Sequence, residues 1–190
     1  MNQKHHDALN FFSTRRSVPP ALLKEPAPSG DELKRLLTLA ARVPDHGKLE
    51  PWRFVVLRGE ALSRLAPLVE AGSVAMGNPP EKAAKHGNAF RVPLVVAVVS
   101  SPVHSEKVPE WEQFLSAGAV CLGLLNACLT SGYGASWLTG IASRPEFARA
   151  HLGLTGDERI AGLIHIGSRG DSAPPERPRP DIDALTTILE

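Results

Sequence analysis

The stretch FLSAGAVCLGLLNACLTSG, residues 114–132, decides how this chain folds. It lies inside a longer run, Gln113 to Ser143, that holds no charged residue. Its composition is helical and it is apolar nearly all round, so a helix made from it must be buried on every side. A membrane span needs roughly 20 predominantly apolar residues, and Ser116, Asn126, Thr130 and Ser131 interrupt this run. Two soluble settings are left. The helix is either the centre of the chain's own core or a subunit interface, in which Ser116, Ala119, Gly123 and Ala127 form a ridge of small residues that lets two helices approach closely. A chain of 190 residues has difficulty surrounding so long a helix by itself, so an obligate homodimer is expected.

Outward from that helix, punctuation divides the chain. Ala8, Leu9, Phe11 and Phe12 make a short first helix that ends near Pro19 and Pro20. Ser29 followed by Glu32 is a capping-box signature opening a second helix, with Leu33, Leu36, Leu37 and Ala40 facing the core. RFVVLRG (53–59) reads as a strand, EALSRLAPLVEAG (60–72) as a helix interrupted or bent at Pro67, and PPEKAAKHGNAF (79–90) as another short helix. PLVVAVVSS (93–101) is a continuous apolar run rich in β-branched residues, the pattern of a strand buried on both faces. Further strands are expected at GASWLTG (134–140) and RIAGLIHIGS (159–168). Helices and strands interleave without internal repeats, so one domain over residues 1–190 with a central sheet is expected, α+β or α/β in class. Residues 171–190 form a proline-rich arm ending in Ile182, Leu185, Ile188 and Leu189, residues that usually pack on something.

Composition excludes several functions. Lys and Arg total 21 against 20 for Asp and Glu, a net charge of +1. There is no basic stripe for nucleic acid and no general field for an anionic membrane. Cys121 and Cys128 are seven apart on one helix and cannot meet, which fits a reducing compartment and thiols acting as apolar fillers. The opening residues contain no apolar run of signal-peptide length, so a cytoplasmic location is expected. The seven histidines are scattered and no metal-ligand spacing occurs. There is also no G-x-G-x-x-G, Walker loop or G-x-S-x-G elbow.

Two basic elements stand out. Arg15, Arg16 and Ser17 close the first helix, and two guanidiniums with a hydroxyl match the geometry that phosphate or carboxylate demands. Cations there also complement the helix dipole, so spacing alone leaves both readings open. Arg177 and Arg179 stand in the proline-stiffened arm. Between the second helix and the following strand, ARVPDHGKLEPWRF (41–54) carries Arg42, Asp45, His46, Lys48, Glu50 and Trp52. Several of these are costly to bury without partners, more chemistry than a bare connection needs.

Three segments in order, R-R-S near the start, the junction ending in P-W-R-F, and SAGAVCLGLLNACLTSGYGASWLTG (116–140), resemble the FMN-dependent nitroreductase family. The chain is especially similar to its small NAD(P)H nitroreductases, which share Pro44-Asp45-His46 and the pattern of KVPEWEQ at 107–113. The resemblance implies an α+β fold with a mostly antiparallel central sheet flanked by helices. It also implies a homodimer with a long buried interface helix and two FMN sites built from both chains. Arg15, Arg16 and Ser17 match the motif that holds the FMN phosphate and ribityl chain. Arg42 and His46 match junction positions that contact the flavin, and Trp137, Leu138 and Thr139 match the segment that crosses from the partner. The implied activity passes hydride from NADH or NADPH through flavin N5 to a small acceptor, such as a nitroaromatic or a quinone, by ping-pong kinetics. No catalytic side chain is expected, because the cofactor carries the chemistry. The alternative is a non-catalytic FMN-binding dimer for storage or regulation.

The chain departs from the family pattern twice. Pro19 stands where many members have a basic residue, and Arg179 or Arg177 is the candidate replacement. Lys48 and Glu50 replace the Asn and Gln of S-x-N-x-Q-P-W. A lysine there favours the anionic reduced flavin, unless it pairs with Glu50 or points to solvent.

Overall fold

The computed structural model describes residues 5–170, 174 and 176–190. Among these, six α-helices accompany one antiparallel sheet. The order is α1 (His6–Thr14), β1 (Leu23–Lys24), α2 (Gly30–Ala40), β2 (Trp52–Arg58), α3 (Glu60–Ala75), α4 (Pro80–Asn88), β3 (Leu94–Ser100), α5 (Glu110–Thr130), β4 (Tyr133–Leu138), α6 (Pro145–Leu152) and β5 (Arg159–Arg169). The class is α+β, as the sequence resemblance implied.

All seven residues of β3 are buried, as its unbroken apolar run requires. It lies between β2 and β5, and the sheet runs β1-β5-β3-β2 with β4 also paired to β5. Every pairing is antiparallel. A register shift between Val98 and Val99 marks a bulge in the β3–β5 ladder. The 21-residue α5 packs across β3, β4 and β5 and against α2.

Two local expectations are corrected and two elements are added. Ser29 is the residue before α2, yet its side chain makes no capping bond. The Glu32 carboxylate accepts instead from the Tyr133 hydroxyl at 2.6 Å, so the capping box is not formed. Of the two outcomes expected at Pro67, interruption or a bend, interruption does not occur: the helix is continuous from Glu60 to Ala75. Pro67 and Ser63 are both exposed, so the carbonyl freed by the missing N–H is solvated. Two elements escaped the sequence reading: the two-residue β1 and α6, although Pro145 at its first position and Gly153 at φ 68° after its end are the usual start and stop signals.

Within one chain α5 is covered on most of its surface but not all: Trp111, Leu115 and Leu122 are 63%, 63% and 46% exposed and align along one face. Two members of the small-residue ridge, Gly123 and Ser116, are engaged inside the chain. A Cβ on Gly123 would lie 2.9 Å from the Ala40 carbonyl oxygen, so this glycine lets α2 and α5 touch. Ser116 Oγ donates to the Pro44 carbonyl at 2.8 Å. Close approach by small residues joins two helices of one chain, and the uncovered stripe beside it consists of large side chains.

Candidate functional site

The R-R-S segment is placed by β4. The Val18 N–H donates to the Ala135 carbonyl at 2.8 Å, which pins the chain leaving α1 to the sheet. Arg15 Nη2 donates to Ser17 Oγ at 3.3 Å. The arm folds back here: Glu176 Oε1 lies 3.1 Å from Arg16 Nη1 and 2.6 Å from Arg179 Nη2. Burial first, then the charges of Arg179 and Arg16, pull Arg15 below the ordinary guanidinium value. Arg179, not Arg177, is therefore the arm cation whose charge Arg15 feels. Arg16 and Arg179 share one carboxylate and Arg15 stands beside them with none, a net cationic pocket that an anion would stabilise.

Beside them opens a cavity of about 1020 Å³, lined by Phe11, Arg15, Arg16, Asn126, Thr130 and Arg169 among others. Among the described residues, Arg15 Nε and Asn126 Oδ1 are buried there without a hydrogen-bond partner, and Arg16 Nη1 has no aligned acceptor despite its ion-pair distance to Glu176. Buried polar groups are normally satisfied, so these donors and this acceptor fit a ligand that carries both a phosphate and hydroxyls.

The junction forms a second cluster. Asp45 clamps it: Oδ1 accepts from the Leu49 N–H at 3.2 Å and Oδ2 from the Glu50 N–H at 2.8 Å. Gly47, Lys48 and Glu50 hold φ of 75°, 53° and 48°, so two non-glycine residues sit in left-handed backbone. Such residues cost on the order of 1 to 3 kcal/mol each and cluster at functional sites. His46 Nδ1 is 2.8 Å from Glu112 Oε2 on α5. Arg42 and Lys48 are exposed, and among the described residues no ion pair joins Lys48 to Glu50. A smaller cavity of about 320 Å³ lies between His46, Glu112, Leu115 and Ala119.

Trp137, at the end of β4, is 37% exposed. Its indole lies on Gly162, where a Cβ would overlap Nε1, and reaches to 4.0 Å from the Cβ position of Gly118. Leu138 is half-buried and Thr139 exposed beyond it. These three residues line neither cavity.

Within one chain, then, Arg15, Arg16, Ser17 and Arg179 come together, and Arg42, His46 and Lys48 form a separate group. The C-terminal half of α5 lines the first cavity and its N-terminal half the second. Sequence reading missed Asn126 and did not place Glu112 among the site residues. Cys121 and Cys128 are buried, and burial pushes both thiols up to about 12, the setting of apolar fillers and not of an activated nucleophile. Among the described residues no three His, Cys, Asp or Glu side chains are placed to hold a metal.

The sequence profile of the Nitroreductase family matches residues 13–168. A protein of Escherichia coli K12 named "Putative NAD(P)H nitroreductase YdjA" is 35% identical over 163 residues, covering 85% of this chain and 88% of its own length. A Haemophilus influenzae protein named "Putative NAD(P)H nitroreductase" is 37% identical over 170 residues, covering 88% of this chain and 91% of its own length. Among solved structures, a nitroreductase-like family protein from Bacillus cereus superposes over the whole of both chains with a TM-score of 0.79 and 26% identity. A nitroreductase with bound FMN from Bacteroides fragilis has the same fold, with a TM-score of 0.75 at 18% identity over 97% of this chain and 99% of that one.

Proposed function

Since the chain belongs to the nitroreductase family, we propose that it is an NAD(P)H-dependent FMN oxidoreductase that reduces a small electron acceptor. The observation that carries this reading is the cluster of Arg15, Arg16 and Arg179 beside a cavity of about 1020 Å³ holding unpartnered Arg15 Nε and Asn126 Oδ1. Bound FMN supplies a ring that accepts hydride from a reduced nicotinamide and returns it to a nitroaromatic, quinone or similar acceptor. The side chains bind and orient. Arg15, Arg16, Ser17 and Arg179 hold the phosphate, and Asn126 offers an acceptor to a ribityl hydroxyl. Arg42, His46 and Lys48 form a wall against the ring, with Lys48 adding positive charge near it. Nicotinamide and acceptor use one pocket in turn, so the kinetics are ping-pong.

The site is completed by a second copy of the chain. Support comes from the uncovered apolar stripe of α5 and from the exposure of Ile182, Leu185, Ile188 and Leu189 in the arm, which packs on the partner. Trp137, Leu138 and Thr139 reach the partner's flavin, which accounts for their absence from both cavities of their own chain. Two free buried cysteines suit a cytoplasmic setting.

The test is the visible spectrum of the purified protein before and after anaerobic NADH or NADPH. Flavin bands that bleach are the expected result. Bands that persist support the non-catalytic FMN-binding dimer, and a protein that stays colourless with added FMN overturns the flavin reading.

A further inference from the structure

The first two turns of α5 brace the junction through three side chains, Glu112 and Ser116 directly and Gln113 through the loop before the helix. Gln113 fixes the preceding loop, accepting from the Val103 N–H at 2.8 Å and donating to the Val103 and Val108 carbonyls at 2.9 and 3.1 Å. Val108 in turn lies 3.5 Å from where a Cβ on Gly47 would stand. Ser116 binds the Pro44 carbonyl and accepts from Trp52 Nε1 at 3.2 Å. These two residues, with the Asp45 clamp, already hold the backbone on both sides of His46. Glu112 differs from them. Its hydrogen bond, 66 residues across the sequence, goes to the imidazole alone. An acid needed only to open a helix would point to solvent, yet this side chain is 31% exposed and aimed at His46.

We propose that Glu112 is the positioning residue for His46 in the flavin site, an inference that rests on the function proposed above. An ionised carboxylate only accepts, so the proton on that bond belongs to Nδ1. Nδ1–H is thereby committed to Glu112, and the ring cannot turn without breaking a charge-assisted bond. Nε2 is left free for the edge of the bound flavin. Asp45, the neighbouring acid, does not compete, because both its oxygens are engaged by backbone N–H groups. This pairing also accounts for the joint appearance of P-D-H and W-E-Q in the sequence: one segment carries the imidazole and the other holds it.

The experiment is a double-mutant cycle on the full-length protein, read as the FMN dissociation constant of stripped protein by flavin fluorescence quenching. Glu112→Ala and His46→Ala are each expected to weaken FMN by about tenfold, the scale of one charge-assisted hydrogen bond. Glu112→Ala should add nothing in the His46→Ala background. Glu112→Gln should stay close to the wild type, because its carboxamide oxygen still accepts from Nδ1–H. Unchanged affinity in Glu112→Ala, or an equal loss with and without His46, overturns the positioning role while leaving the flavin reading intact. A wild-type chain that fails to quench FMN overturns both.

Discussion

Arg15 is held among cations by the fold and is pulled below its ordinary guanidinium value, chiefly by burial. A phosphate beside it would reverse that penalty, so its removal should be felt in cofactor affinity more than in stability. Arg15→Ala combined with Arg16→Ala deletes two charge-assisted contacts of about 1.5 to 3 kcal/mol each, a loss of at least a hundredfold in FMN affinity. The variant should purify colourless while its oligomeric state is unchanged; retention of the yellow colour would remove the phosphate assignment. At this scale the sequence was legible where chemistry recurs in short motifs, as in R-R-S and P-D-H. It was silent on Asn126, which looks like one more polar break in an apolar helix until its unpartnered Oδ1 is seen in the cavity. The left-handed backbone at Lys48 and Glu50 was equally hidden, because it depends on both oxygens of Asp45 closing over the loop.

Among the elements, β5 is the most exposed to acid. His165, in its middle, is buried against Phe90 with ring centroids 5.3 Å apart, and desolvation lowers its pKa from 6.5 to about 4. The unfolded chain therefore takes up this proton first, and stability falls as pH drops from 6.5 towards 4. Just before the strand, Glu158 receives Arg53 at 2.6 and 2.7 Å, and that pairing brings its pKa from 4.5 to about 2. The stability it contributes is complete above pH 4.5 and is lost on the way down to 2. Urea midpoints against pH should show both windows. His165→Phe should flatten the upper one, worth at most about 3 kcal/mol. Glu158→Gln should flatten the lower one and cost on the order of 2 kcal/mol at neutral pH. A pH profile identical to wild type in either variant contradicts the assignment. Strands and helices with strong periodicity were readable from the sequence. The capping box was not, because Tyr133 competes for Glu32, and the apolar pattern of α5 left its setting open because burial by α2 and burial by a partner leave the same signature.

For the whole molecule, the exposed stripe of Trp111, Leu115 and Leu122 is the face that the proposed dimer would cover. Each leucine contributes about 1.5 to 3 kcal/mol when covered, so Leu115→Asp with Leu122→Asp should shift light scattering from dimer to monomer and abolish FMN binding together. A wild-type monomer that binds FMN tightly would refute the shared site. The sheet carries one more consequence. Its central strand β5 pairs with β1, β3 and β4, segments that begin at residues 23, 94 and 133. None of these ladders can close before residues 159–169 have been synthesised and released from the ribosome. Until then one edge of the wholly buried β3 stays unpaired in the nascent chain. The sheet therefore closes late relative to the synthesis of its own strands, and the growing chain depends on shielding, by α5 or by a chaperone, of a strand edge prone to pair with its neighbours.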